Sequence, residues 1–365
     1  MWDQVVKAFE KVKSLSEFCW CWGHTVDHSH KSVPSSDCAV VAKLLEETKQ
    51  LTKKEIKYLK QYSFPFVHLA LSGGSANGIS YIGAYKALYE IGIIKHITEI
   101  AGTSTGSIAA LYYALKVDPD SIINEVVPLN VNEFLDSSNC CCIDIFRLIW
   151  KFGYYKGDFL ESWVDNLLFK HTGKKQITFS ELYKITKVDL KITVYNHSFQ
   201  KLELWNHVNE PDTPVSVAVR CSTCLPWLYV PKTLNDTIYI DGGVESYLPL
   251  DAVDKTPLDK TTLGLILSDK ENQPPKQKDN NIIDHFVDLY MSFSSASFAS
   301  AHKTDDWKGR SISIPNPGKR VYDFNFTEEA KLYNIALAYE GVLQNLKYYT
   351  RHHHFPRKNL KHILK

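Results

Sequence analysis

The chain has 365 residues, of which 44% are apolar and 23% charged, close to ordinary globular usage, so it is not disordered throughout. Lys and Arg total 42 against 41 Asp and Glu, a net charge of +1 that creates no global field for nucleic acid. Attraction to an anionic partner must therefore come from a local patch.

In chain order, residues 1–62 read as an N-terminal extension. A short helix is expected over 3–15 and an irregular polar stretch over 19–37. Helical spacing follows over 39–62, where Val41, Leu44, Leu45, Leu51, Ile56 and Leu59 recur among charges. A strand over 64–71, a helix over 77–90, a strand over 97–101 and a helix over 106–116 then form a βαβ pattern, the signature of a parallel sheet. Further strands are expected over 190–195, 201–205, 237–240 and 263–267. The polar run 273–281 with its Pro-Pro pair reads as a linker, and 281–301 and 328–349 read as long helices. The last fifteen residues carry Arg351, Arg357, Lys358, Lys361 and Lys365 with no acid, a local +5.

The start of the chain lacks a basic region leading into an apolar core, and no stretch approaches the roughly 20 apolar residues of a membrane span. Eight Cys, three of them in succession at Cys140, Cys141 and Cys142, do not resemble a secreted disulfide framework, and reduced thiols in a cytosolic protein are expected. Cys19, Cys21, His24, His28, His30 and Cys38 have zinc-ligand chemistry without finger spacing, so they are read as part of an irregular extension. The stretch from Cys140 to Tyr155 joins thiols to apolar, aromatic and basic residues. It is read as a buried helix with spare thiols, ahead of an acylated or interfacial surface.

Three short motifs carry the chemistry. Gly102-Thr-Ser104-Thr-Gly106 satisfies G-x-S-x-G between an expected strand and an expected helix, the setting of a nucleophile elbow. The turn is too tight for flanking side chains, hence Gly102 and Gly106, and it sets the Ser104 hydroxyl at a helix N-terminus. Ser72-Gly73-Gly74-Ser75-Ala76-Asn77-Gly78 makes the same strand-to-helix turn one unit earlier. It lacks the Gly-Lys-Ser/Thr of a P-loop, and its glycines are misplaced for a dinucleotide fingerprint. An oxyanion hole remains, because βα turns of a parallel sheet share its carboxyl end. Asp241-Gly242-Gly243 ends a third expected strand and leaves a carboxylate accessible there. Of the fourteen histidines, none of those downstream of Ser104 sits in a distinctive turn.

Taken in this order, these motifs resemble the patatin-like phospholipase family, whose pattern is G-G-G-x-[RK]-G, G-x-S-x-G and D-G-[GA]. The likeness continues through 81–88, 152–160, Thr178-Phe-Ser-Glu-Leu182 and Cys221-Ser222-Thr-Cys-Leu-Pro226 with Pro231. It implies a three-layer α/β/α sandwich with a mostly parallel sheet, spanning a catalytic domain at 63–270, between the 1–62 extension and a C-terminal helical extension at 271–365. It implies a Ser104–Asp241 dyad without a catalytic His, and an oxyanion hole from the amides of Gly73, Gly74 and Ser75. Gly78, Gly102, Gly106, Gly242 and Gly243 are the motif glycines. The implied activity is calcium-independent hydrolysis of fatty-acyl esters of phospholipids or other glycerolipids, without metal or cofactor. A cytoplasmic location with peripheral membrane contact goes with it; a lipid-binding pseudoenzyme or an acyltransferase on the same fold is the alternative. Two departures stand out. Ser75 replaces the third glycine, where a positive φ would cost energy, and Asn77 replaces the usual Arg or Lys.

Overall fold

The computed structural model describes residues 52–138, 140–256, 259–268, 285–290, 292–294, 310–315, 326–352 and 355–357. The chain divides into two units, Met1–Gln61 and Tyr62–Lys365. Within the first, a helix covers 52–59. The Cys/His cluster between 19 and 38, the polar run 273–281 and the basic residues from 358 onward lie outside the described residues.

Among its described residues the second unit has ten strands: β1 His68–Leu71, β2 Glu99–Thr103, β3 Gly153–Tyr155, β4 Asp189–Asn196, β5 Lys201–Trp205, β6 Trp227–Tyr229, β7 Lys232–Leu234, β8 Thr237–Asp241, β9 Thr262–Ser268 and β10 Ser311–Pro315. Eight form one sheet in the order β10-β9-β1-β2-β4-β8-β7, with β5 also on β4; β3 and β6 pair separately. The five strands from β10 to β4 are parallel, while β5 and β8 run antiparallel to β4 and β7 antiparallel to β8. Strands covered on both faces need apolar side chains at successive positions. The wholly buried His68-Leu-Ala-Leu71 run meets that need. Helices flank the sheet, and the result is the three-layer α/β/α sandwich with a mostly parallel centre.

The C-terminal part, read as helical, also supplies strand β10, which extends the parallel sheet beside β9. Its helix Glu328–His352 lies on the first layer helix, Ser80–Ile91. The approach is so close that a Cβ on Gly83 would fall 1.9 Å from the Ile335 carbonyl oxygen. Tyr339 donates to Glu90 at 2.6 Å across the same contact. Of the helix expected over 281–301, residues 285–290 and 292–294 are described, and they are helical.

One expectation is corrected. The stretch after Cys140 does form a helix, Cys141–Lys151, but the helix is not buried: Phe146 and Trp150 are 64% and 67% exposed. Its polar pair, Asp144 and Arg147, takes the inward face and is joined at 2.8 Å. The apolar side is thereby turned outward.

Candidate active site

Strand β2 does not stop at Ala101, where the apolar run ends. Its ladder with β4 continues through Gly102↔Ile192 and Thr103↔Thr193, so the strand delivers the chain directly to Ser104. The helix Thr105–Leu115 begins at the next residue, and Ser104 is its cap with φ 53 and ψ −126. That left-handed backbone at a non-glycine residue is strained by about 1–3 kcal/mol. Contacts on both sides hold it. The Ser104 N–H donates to the Ser222 hydroxyl at 2.9 Å, and its carbonyl accepts from Ser107 N–H and hydroxyl at 2.8 and 2.5 Å. Close approach accounts for the flanking glycines. A Cβ at Gly102 would lie 2.5 Å from the Gly106 carbonyl oxygen, and one at Gly106 would lie 2.5 Å from those of Leu71 and Ser72.

Asp241 comes from the opposite strand direction. β8 runs antiparallel to β4 and ends where Asp241 pairs with Val194, one residue past the Thr193 that pairs with Thr103. Strand register therefore sets Asp241 level with the elbow. The packing of Gly242 under β4 leaves no room for a side chain, since a Cβ would meet the Thr193 carbonyl oxygen at 2.5 Å. One carboxylate oxygen, Oδ1, accepts from Gly243 N–H at 2.7 Å. The side chain is fully enclosed, and this burial pushes its pKa from 3.8 up to about 6. The Gly243 N–H, by its hydrogen bond, and the nearby Ser104 and Tyr290 hydroxyls pull the other way by favouring the charged form. The structure thus brings Ser104 and Asp241 together.

The glycine-rich turn closes over the same spot. Gly73 sits against Ser104, a Cβ there being 3.6 Å from the serine Cβ. Its N–H, however, donates to the Tyr247 carbonyl at 3.0 Å. The three expected amide donors therefore narrow to two: the N–H groups of Gly74 and Ser75 donate to no protein oxygen among the described residues. Ser75 has φ 48, the left-handed geometry at which its lost glycine would have been free of strain. Asn77 is buried, with its N–H on the Gly74 carbonyl. A Cβ on Gly78 would fall 2.0 Å from the Thr105 hydroxyl, so the first turn and the elbow helix are packed directly on each other.

A cavity of about 130 Å³ opens beside Ser104 and Ser75. Its walls are mainly apolar and aromatic, with Ile82, Ile108, Leu129, Phe134, Trp163 and Leu225 among them. Among the described residues its one charged lining residue is Lys331, whose ammonium donates to the Val127 and Leu129 carbonyls past the end of helix Pro119–Val126. Burial lowers the pKa of this lysine.

No hydrogen bond joins Ser104 to a histidine among the described residues. His68 and His207 instead face carboxylates at the other end of the strands, beside Glu99 and Asp189. Ser222 lies in the matched Cys221–Pro226 stretch but had no role assigned there, and Tyr290, Tyr247 and Lys331 have no local signature in the sequence. Each acts on a partner tens to hundreds of residues away, so only the fold identifies them.

The patatin-like phospholipase profile matches residues 69–254. Uncharacterized protein R571 of Acanthamoeba polyphaga mimivirus is 28% identical over 285 residues, covering 76% of this chain and 93% of that protein. Uncharacterized protein YqhO of Bacillus subtilis is 28% identical over 296 residues, covering 78% and 99%. Triacylglycerol lipase 4 of Saccharomyces cerevisiae is 28% identical over 212 residues, covering 50% of this chain but only 22% of the lipase. Among solved structures, VipD of Legionella pneumophila superposes with a TM-score of 0.51 at 18% identity, covering 79% of this chain and 68% of VipD. The matched segment defines the class as the patatin-like lipases and phospholipases. The chain belongs to the patatin-like phospholipase family.

Proposed function

We propose that this protein is a serine acyl hydrolase that cleaves fatty-acyl esters of phospholipids or other glycerolipids at a membrane surface, through a Ser104–Asp241 dyad. The observation that carries the proposal is the buried Asp241 carboxyl set level with Ser104 by strand register, with Ser104 itself lining an apolar cavity.

In this mechanism the acyl chain lies in the cavity and its carbonyl carbon faces Ser104. Asp241 takes the serine proton as the oxygen attacks. The amides of Gly74 and Ser75 donate to the oxyanion, aided by the N-terminus of helix Thr105–Leu115. Collapse of the tetrahedral intermediate releases the alcohol, which takes the proton back from Asp241. Water, deprotonated by the same carboxylate, then frees the fatty acid. No step calls for calcium. Because Asp241 must be ionised, turnover falls as pH drops through about 6.

The test is a panel of phospholipids and neutral glycerolipids assayed with wild type and Ser104→Ala. Fatty-acid release is expected from wild type and is expected to fall by about a thousandfold or more in the variant. Equal release by both proteins would sink the proposal.

A further inference from the structure

The helix Cys141–Lys151 carries its polarity inside out. Two of its three ionic side chains face the protein: Asp144 and Arg147 pair with each other, and both are tied to the preceding loop through Ser138. Arg147 also donates to the Tyr154 carbonyl at 2.5 Å, which locks the helix orientation from its other end. The outward side chains are Ile145, Phe146, Ile149 and Trp150, with Phe152 just past the helix end; each is at least half exposed, from 50% to 67%. They spread over positions 145, 149, 152 and 146, 150, an arc broader than one stripe. Between 140 and 156 the only exposed charges are Lys151 and Lys156, and no acid is exposed there.

This composition selects the occupant. A large apolar ridge with Trp at its margin, basic residues at its end and no exposed acid matches the layering of an anionic lipid leaflet, with acyl chains below and negative headgroups at the rim. The helix is also tied to a segment of the cavity wall. Ser138 joins the helix to the segment that contains Phe134, and Phe134 lines the same cavity as Ser104. On the other side, β3 follows Phe152 and pairs with β6, where partly exposed Trp227 stacks on Phe286 at 4.9 Å.

We infer that the segment from Cys141 to Phe152 is the membrane-docking element of this protein, inserting its apolar ridge into an anionic phospholipid leaflet and holding the cavity at the lipid surface. The inference rests on the reading of the site as a lipid hydrolase.

Docking is best read without hydrolysis, in the full chain carrying Ser104→Ala. Vesicles of phosphatidylcholine alone, and of phosphatidylcholine mixed with phosphatidylserine, are the probes. Ser104→Ala is expected to bind the mixed vesicles as wild type does. Adding Phe146→Glu and Trp150→Glu is expected to cut the bound fraction by about tenfold. In an otherwise wild-type chain, the same two substitutions should leave turnover of a soluble short-chain ester unchanged, which also shows that the fold is intact. A milder variant, Trp150→Phe, is expected to remove most of the tryptophan quenching caused by brominated lipid. Unchanged vesicle binding by the Glu variant, or unchanged quenching by Trp150→Phe, would overturn the inference. So would loss of a dimer on size exclusion with vesicle binding intact, which would assign the ridge to a second copy of the chain. Failure of wild type to hydrolyse any lipid would count against the hydrolase reading alone, because vesicle binding is measured independently.

Discussion

Burial holds the Asp241 carboxyl near pH 6, against 3.8 for the free side chain. Between those two values the folded chain binds a proton that the unfolded chain has lost. The stabilising contribution of this group is therefore complete below pH 3.8 and is lost as pH rises through about 6. At neutral pH the charged, enclosed carboxylate costs the fold about 3 kcal/mol. Asp241→Asn is expected to abolish activity and yet stabilise the protein near pH 7 by up to that amount. Urea midpoints compared at pH 7 and pH 4 check this, because the gain should vanish at the lower pH. Tyr290 bears on the same group. Its hydroxyl is enclosed near the carboxyl and lowers the Asp241 pKa by favouring the charged form. In Tyr290→Phe the carboxyl is expected to titrate higher. The acid limb of the kcat/KM profile should move to higher pH while the alkaline plateau is largely kept. A role confined to packing would lower the plateau and leave the limb in place.

At the scale of elements, the strand–turn–helix units around Ser104 were legible because each uses short-range rules. Glycines flank the serine, an apolar run precedes it and a helix-forming run follows. The end of β2 was not legible. Gly102 is a poor strand former that breaks the apolar run, and the strand continues through it to Thr103 because β4 supplies the ladder partners. Helix Cys141–Lys151 shows the opposite failure. Its apolar period is real, but a period does not say which side is covered. The covered side was decided by the Asp144–Arg147 pair and its ties to Ser138 and Tyr154. The contact of helix Glu328–His352 with helix Ser80–Ile91 depends on a single absent side chain. Gly83→Ala would place a methyl 1.9 Å from the Ile335 carbonyl oxygen, where backbone cannot yield cheaply. A destabilisation of about 2 kcal/mol or more is expected, with faster amide exchange in 328–352. Thermal melting and hydrogen exchange measure the two effects.

For the whole molecule, the C-terminal part completes both the sheet and the cavity wall. β10 covers the edge of β9, and Lys331 and Phe326 line the cavity beside Ser104. A chain ended before residue 310 is expected to lose solubility, because β9 would become an exposed apolar edge. Refolding yield and light scattering compared with the full chain test this. The near-zero net charge conceals a similar asymmetry: within 140–156 the exposed charges are both basic and border an apolar ridge.

The sequence by itself determined the α/β class and the family, and it singled out Ser104, Asp241 and the glycine-rich turn. Those features rest on local backbone demands: tight turns need glycine, and fully covered strands need apolar runs. Tertiary structure alone decided the rest. It brought Asp241 level with Ser104 through the β4–β8 register, and it engaged the Gly73 amide with Tyr247. It also set Tyr290 against the carboxylate and turned the apolar face of Cys141–Lys151 outward. Each of these outcomes joins groups far apart in sequence, and such long-range contacts are fixed by packing and register, which leave no periodic trace in the chain.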